Sequence, residues 1–237
     1  MKTIVFGDIH ANLPALEACY EQAEREGFDW LVHTGDVVGY GPFPGECASF
    51  LQERAVPGVR GNFDENIGWD TGESGARDPD ASERELAEAS FHWTGRRIDL
   101  RCRRWLADLP FELRKRDGAR SIVIFHAGPI DLYSSLFADT PEPRFVEYGE
   151  AAEADLVILG HVHRPFHRKV RGWDFVNAGS VGRPRDGNPH TGYAVIETDG
   201  QVRVTFRRFA YDLGRVQRAV RELGLPEPLA DRLSRGA

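Results

Sequence analysis

Lys2-Thr3-Ile4-Val5-Phe6-Gly7-Asp8-Ile9-His10, at the head of the chain, decides the fold by the way its apolar run ends. Residues 2–7 have the make-up of a buried strand: short, continuous and bounded by glycine. The run falls short of the roughly 7–15 apolar residues of a secretory leader. Nothing elsewhere approaches the roughly 20 needed to cross a bilayer, so a cytoplasmic protein without a membrane partner is expected. At Asp8 the strand gives way to a carboxylate and then to an imidazole. The pattern returns four times. A strand at 31–34 is followed by Gly35-Asp36, and a strand at 56–60 by Gly61-Asn62-Phe63-Asp64. A strand at 122–125 is followed by His126, and one at 156–159 by Gly160-His161-Val162-His163.

Helical segments lie between these runs. Asn12 can cap a helix with Pro14 in its first turn. Leu13, Leu16, Tyr20 and Ala23 then share a face, and Gly27 ends it. Residues 44–54 form a short helix with Cys47, Phe50 and Leu51 inward. Strands alternating with helices mark a layered α/β fold. Residues 66–110 break the rhythm: polar and acidic at 70–88, amphipathic at 89–93 and 98–109. They read as a helical insertion covering the sheet or its open end. Further on, 165–171 and 174–177 read as a strand pair turning at Gly172. A hairpin at 193–198 and 202–209 turns at Asp199-Gly200. A loop is expected at 131–149, a helix near 212–223, and a proline-containing tail after Gly224. With no repeat and no linker, residues 1–237 read as a single domain.

The 237 residues are 41% hydrophobic, enough for a core, and carry a formal net charge of −7. That charge argues against duplex nucleic acid as the ligand. Cys19, Cys47 and Cys102 lack metal-type spacing and read as free thiols. Nothing in the sequence bears on oligomeric state.

The chemistry lies in what the five strand ends share. Open α/β sheets bind ligands beyond the carboxyl ends of their strands. Imidazoles and carboxylates collected there suit borderline divalent metals such as Mn, Fe, Zn, Co or Ni. Asp8, His10, Asp36, Asn62, His126, His161 and His163 are too many donors for one ion and enough for two. Two ions can clamp a phosphoryl group and activate a water or hydroxide. A single strand-end Asp is more often a turn or cap residue; the recurrence at five strand ends is what points to a metal site.

The set Asp8-x-His10, Gly35-Asp36, Gly61-Asn62-x-Asp64, His126 and Gly160-His161-x-His163 resembles the calcineurin-like metallophosphoesterase superfamily over residues 4 to about 198. The strings Gly35-Asp36-Val37-Val38-Gly39-Tyr40-Gly41-Pro42 and 177–185 (NAGSVGRPR) resemble its small bacterial and archaeal phosphodiesterase branch. The resemblance implies a four-layer αββα sandwich of two mixed β-sheets flanked by helices. It also implies that Asp8, His10 and His163 hold one ion, that Asn62, His126 and His161 hold the other, and that Asp36 bridges them. Asp36, Asn62 and Asp64 are then the candidate catalytic residues, Asp64 orienting a ligand or capping its own turn. Arg183, Arg185, Tyr40 and Phe63 are candidates for binding the substrate, a small phosphate ester with nucleotide-derived esters among the candidates.

One position departs from the family pattern. Many members read Gly-Asn-His-Asp or Gly-Asn-His-Glu, and that histidine is the usual candidate to protonate the leaving group. Here the residue is Phe63, which has no proton to give. Phosphodiesters and activated esters are therefore expected to be better substrates than alkyl phosphomonoesters. The competing readings are a phosphomonoesterase, or a partner-binding scaffold on the same fold. His33 reads as a core histidine with a satisfied hydrogen bond. His92, His167 and His190 show no partner spacing and read as surface residues.

Overall fold

The computed structural model describes residues 1–237. In chain order its elements are β1 (Lys2–Phe6), α1 (Leu13–Glu26), β2 (Trp30–His33), α2 (Pro44–Glu53), α3 (Asn62–Trp69), α4 (Ala81–Gly95), α5 (Leu100–Asp108), β3 (Glu112–Asp117) and β4 (Arg120–Phe125). Then follow α6 (Glu142–Ala152), β5 (Leu156–Leu159), β6 (Phe166–Val170), β7 (Trp173–Asn177), β8 (Thr191–Glu197), β9 (Arg203–Phe209), α7 (Leu213–Glu222) and α8 (Glu227–Leu233). The strands form two sheets, ordered β2-β1-β8-β9 and β3-β4-β5-β7-β6. Each mixes parallel and antiparallel neighbours: β1 runs parallel to β2 and antiparallel to β8, while β5 runs parallel to both β4 and β7 and β6 pairs antiparallel with β7.

The layering follows from the period-2 alternation of strand side chains. Val5 and Val32 of one sheet meet Ile122, Ile124, Leu156, Ile158 and Val176 of the other in a shared inner cluster. Each such side chain gains roughly 1.5–3 kcal/mol by leaving water. The alternate residues face outward. Ile4 and Phe6 pack under α1 and α2 with Leu16, Cys19, Cys47 and Leu51. Val123, Phe125, Val157 and Leu159 pack under α6 with Phe145 and Tyr148. Helix, sheet, sheet and helix are thus stacked in four layers. The helical segment expected at 66–110 is present as the second half of α3 with α4 and α5. It contributes Ile67, Ala87, Phe91 and Leu106 to the first outer cluster, while Trp93 packs with α7 and α8.

Four expectations need correction. Residues 56–60 do not form a strand: Gly58 makes one isolated bridge to His33. Pro57 has no N–H to extend a ladder, and a Cβ on Gly58 would lie 2.1 Å from the His33 ring. The 131–149 segment is not all loop, because α6 buries Phe145, Tyr148, Gly149 and Ala152 on one face. The tail beyond Gly224 forms α8, which buries Leu229, Ala230 and Leu233. His167 has a partner, since its Nε2 lies 2.8 Å from Asp174 Oδ1 across the β6–β7 pair. Asn12 caps α1 as expected, accepting from Ala15 N at 3.2 Å. No helix is long and apolar enough to cross a membrane.

Candidate metal centre

Both sheets deliver side chains to one edge. β1 and β2 lead into Asp8 and Asp36, β4 leads into His126, β5 leads into His161 and His163, and Asn62 opens α3. Asp8, His10, Asp36, Asn62, His126 and His163 are buried, each under 5% exposed. The backbone bends hard to present them: His10, Asp36, His161 and His163 have φ of 45°, 45°, 68° and 57°. This left-handed conformation costs a non-glycine residue roughly 1–2 kcal/mol, and such strain tends to gather at functional sites. Two glycines make the close approach possible. A Cβ on Gly160 would stand 2.3 Å from Asp8 Oδ1, and one on Gly61 would stand 2.1 Å from Asp36 Oδ1.

The hydrogen bonds around the rim fix which atoms point inward. His10 Nδ1 lies 3.1 Å from the Val38 carbonyl, His126 Nδ1 lies 2.9 Å from the Thr34 carbonyl, and His161 Nε2 lies 3.1 Å from the Tyr133 carbonyl. A carbonyl only accepts, so each of these nitrogens carries the proton and the other ring nitrogen presents a lone pair. Those lone pairs converge. His10 Nε2 is 2.9 Å from His163 Nε2. His126 Nε2 is 3.2 Å from both Asn62 Oδ1 and His161 Nδ1. His163 Nε2 is 3.0 Å from Asp8 Oδ2, and its buried Nδ1 has no partner. Asp36 Oδ2 lies between the two groups, 3.7 Å from His10 Nε2 and 3.7 Å from His126 Nε2. Acceptors packed this closely with few protons among them form an arrangement that a cation, rather than a hydrogen bond, satisfies. Asp8–His10–His163 and Asp8–Asp36–His126 each bring three donor atoms within 4.8 Å of one another.

Electrostatics supports the same protonation pattern. Burial first, and then neighbouring imidazoles, hold His10 well below the ordinary histidine range and His161 at about 3. Burial also lowers His126 and His163 against the pull of Asp8. All four are therefore neutral, the form that binds metals. Burial would raise Asp8, but His126, His163 and His10 outweigh it and keep Asp8 ionised. Burial, with Asp64 and Asp8 beside it, pushes Asp36 well up.

The other candidates fall into two groups. Asp64 does not line the cavity. Its Oδ1 accepts from Val37 N at 2.8 Å and Val38 N at 3.3 Å, and its Oδ2 accepts from Gly61 N at 3.0 Å. It braces the loop whose Val38 carbonyl orients His10. Tyr40, Phe63, Arg183 and Arg185 all line a cavity of about 330 Å³ together with His10, Asp36, Asn62, His161 and His163. Phe63 is 2% exposed, with its ring centroid 4.8 Å from that of Tyr40 and 5.7 Å from that of His10. Arg183 is buried, with Nη2 2.6 Å from Glu83 Oε2 and its guanidinium 4.2 Å from the Tyr40 ring centre. Arg185 Nη1 is 2.8 Å from Asp78 Oδ2. Asn177 orders its own loop, donating to the Gly160 carbonyl at 2.5 Å.

Sequence reading missed Thr34, whose hydroxyl donates to Asp8 Oδ1 at 3.2 Å while its carbonyl sets the His126 tautomer. It also missed Ser180, which donates to the Asp8 carbonyl at 2.6 Å. Small hydroxyl residues carry no spacing signal; only the proximity of Thr34 to Gly35-Asp36 could have drawn notice.

Comparison with known proteins identifies the family and the fold. The profile of the calcineurin-like phosphoesterase superfamily domain matches residues 1–201. A crystal structure of a metallophosphoesterase from Sphaerobacter thermophilus superposes with a TM-score of 0.79 at 29% identity, covering 100% of both chains. The uncharacterized protein MJ0912 of Methanocaldococcus jannaschii is 28% identical over 249 residues, covering 98% of this chain and 97% of that one. Phosphodiesterase YfcE of Escherichia coli is 39% identical over 77 residues, covering 28% of this chain and 42% of YfcE. With the domain profile spanning most of its length, this chain belongs to the calcineurin-like phosphoesterase superfamily.

Proposed function

We propose that the protein is a metal-dependent hydrolase of phosphate esters, acting on phosphodiesters in preference to alkyl monoesters. The observation that carries this reading is the convergence of inward lone pairs on Asp36 Oδ2, midway between His10 Nε2 and His126 Nε2. Asp8, His10 and His163 would hold one divalent cation and Asn62, His126 and His161 a second, with Asp36 shared. Such a pair, when bound, activates water and offsets charge on the phosphate oxygens. Imidazole and carboxylate donors favour Mn, Fe, Zn, Co or Ni, and manganese is the ion proposed for assay.

The remaining residues shape and dry the cavity. Phe63 and Tyr40 wall it, and Asp64 holds the Asp36 loop in place. Phe63 supplies no proton to a departing alkoxide, so esters whose leaving group departs as a stable anion are favoured. The partial match to YfcE, named a phosphodiesterase, points the same way. Metal analysis of the purified protein, with turnover of bis-p-nitrophenyl phosphate and glycerol phosphate on addition of Mn²⁺, tests the proposal. Divalent-stimulated turnover of the diester and weak turnover of glycerol phosphate are expected. No stimulation by any divalent ion would instead support a partner-binding scaffold.

A further inference from the structure

Four arginines line the cavity, and they are not alike. Arg183 is neutralised by Glu83, and Arg185 by Asp78 with Glu83 3.8 Å away. Neither Arg77 nor Arg164 makes an ion pair within 4 Å, although Arg77 is near enough to Asp131 to help lower its carboxyl. Each is set over an aromatic ring at the cavity mouth: the Arg77 guanidinium is 4.4 Å from the centre of Tyr133, and that of Arg164 is 5.8 Å from the centre of Phe137. The Arg164 Nε–H donates to the Arg185 carbonyl at 2.9 Å, which anchors that side chain beside the site and leaves its terminal nitrogens free. Phe137 is 37% exposed, a large apolar ring left in water. Tyr133 is tied to the metal cradle, because its carbonyl orients His161.

We propose that Arg77 and Arg164, with Tyr133 and Phe137, form a second subsite, so that the substrate is a phosphate ester carrying a further phosphate beside a planar ring. The substrate assignment rests on the phosphoesterase reading of the metal cradle. Unpaired guanidinium groups offer bidentate donors to phosphate oxygens at no cost in broken ion pairs. The half-buried Tyr133 and exposed Phe137 rings offer stacking faces for a flat heterocycle. A cavity of about 330 Å³ falls within the range that holds small ligands, roughly 300–1,000 Å³. The paired Arg183 and Arg185 then serve as the fixed floor, and the free pair at the mouth reads the rest of the molecule.

Calorimetric titration of the manganese-loaded protein with AMP, adenosine 3′,5′-bisphosphate and fructose 1,6-bisphosphate tests the subsite without relying on turnover. The adenosine bisphosphate is expected to bind about tenfold tighter than AMP, the scale of one charge-assisted contact, and tighter than the sugar bisphosphate. In the double variant Arg77→Gln/Arg164→Gln the preference over AMP should shrink to within about twofold, while Arg77→Lys/Arg164→Lys should keep only part of it, because the charge stays and the bidentate fork is lost. Equal affinity for AMP and the adenosine bisphosphate in the wild type, or a preference that survives the glutamine variant, overturns the subsite. Equal affinity for the two bisphosphates overturns its planar-ring part. A selective protein that fails to turn over bis-p-nitrophenyl phosphate would sink the phosphoesterase reading and leave the subsite standing; turnover without selectivity would do the reverse.

Discussion

Arg183 Nη2 and Glu83 Oε2 meet at 2.6 Å across 100 residues of sequence, with only 4% and 10% of their side chains exposed. The pair joins α4 to the loop beside the cavity. Arg232 of α8 closes on the same carboxylate, so the C-terminal helix is linked to the site through Glu83. Removing one member of a buried pair costs about 3–5 kcal/mol, because the other charge is left uncompensated. Glu83→Ala should lose stability on that scale in urea denaturation. It should also raise KM for phosphodiesters more than it lowers kcat, since Arg183 is no longer held over Tyr40. A loss under about 1 kcal/mol would show that water already compensates the pair.

Asp36→Asn keeps the oxygen that accepts from Phe63 N at 2.9 Å and discharges the one shared between the two histidine groups. Both cation positions should weaken together. Metal counted after dialysis should fall further in this variant than in His161→Ala or His163→Ala, each of which removes one terminal donor. Equal metal content in Asp36→Asn and wild type would end the bridging assignment.

Asp64 offers a different test, because its carboxylate is occupied by three backbone N–H groups. Asp64→Ala frees residues 37 and 38, and with them the carbonyl that orients His10. Loss of such supporting contacts typically costs about 10–100-fold in metal affinity. That drop, measured by competition with a chelator, is expected with no change in the number of ions bound at saturation. Unchanged affinity would reduce Asp64 to a helix cap.

The strand-end pattern made the candidate cradle legible at Asp8, Asp36, His126 and His161, which follow β1, β2, β4 and β5, because ligands gather at carboxyl ends; Asn62 came from the same pattern although 56–60 is not a strand. The two-sheet layering was not legible from that pattern. Ile4 and Val5 face different layers yet both are fully buried, so the run shows no alternation. β3 was missed because Glu112-Leu113-Arg114-Lys115-Arg116-Asp117 is the charged composition of an edge strand. For α6 the signal was present in Phe145, Tyr148 and Ala152, at i, i+3 and i+7, but lay inside a stretch taken for loop. The Glu83 anchor had no signal at all: a lone glutamate on a helix looks solvated until the fold brings Arg183 to it.

Acid stability depends on His33 outside the cradle. Burial holds its ring at about 3, below the ordinary value of 6.5, and its Nε2 has no partner. The unfolded chain takes up a proton near 6.5 while the folded chain does not until about 3. The stabilisation is therefore whole above pH 6.5 and is lost as pH falls, at about 1.4 kcal/mol per pH unit. Urea denaturation of metal-free protein from pH 7 to 4 should give a steeper decline for wild type than for His33→Gln, by one proton's worth. Parallel slopes would show that His33 is protonated in the fold.

Phe63→His places an imidazole where the cavity now has a phenyl wall, in contact with Tyr40 and near His10. The substitution puts a polar ring in a site only 2% exposed, so some stability should be lost. The gain should appear in chemistry. A positioned general acid is worth about 10²–10⁴-fold when the leaving group needs a proton and little when it does not. The variant should therefore raise kcat/KM for glycerol phosphate far more than for p-nitrophenyl esters, because p-nitrophenolate leaves unaided. The pH profile for the alkyl ester should gain a descending limb where the new imidazole loses its proton. If alkyl and aryl esters gain equally, the ring has altered binding rather than protonation, and the proposed preference for diesters cannot be traced to the missing donor.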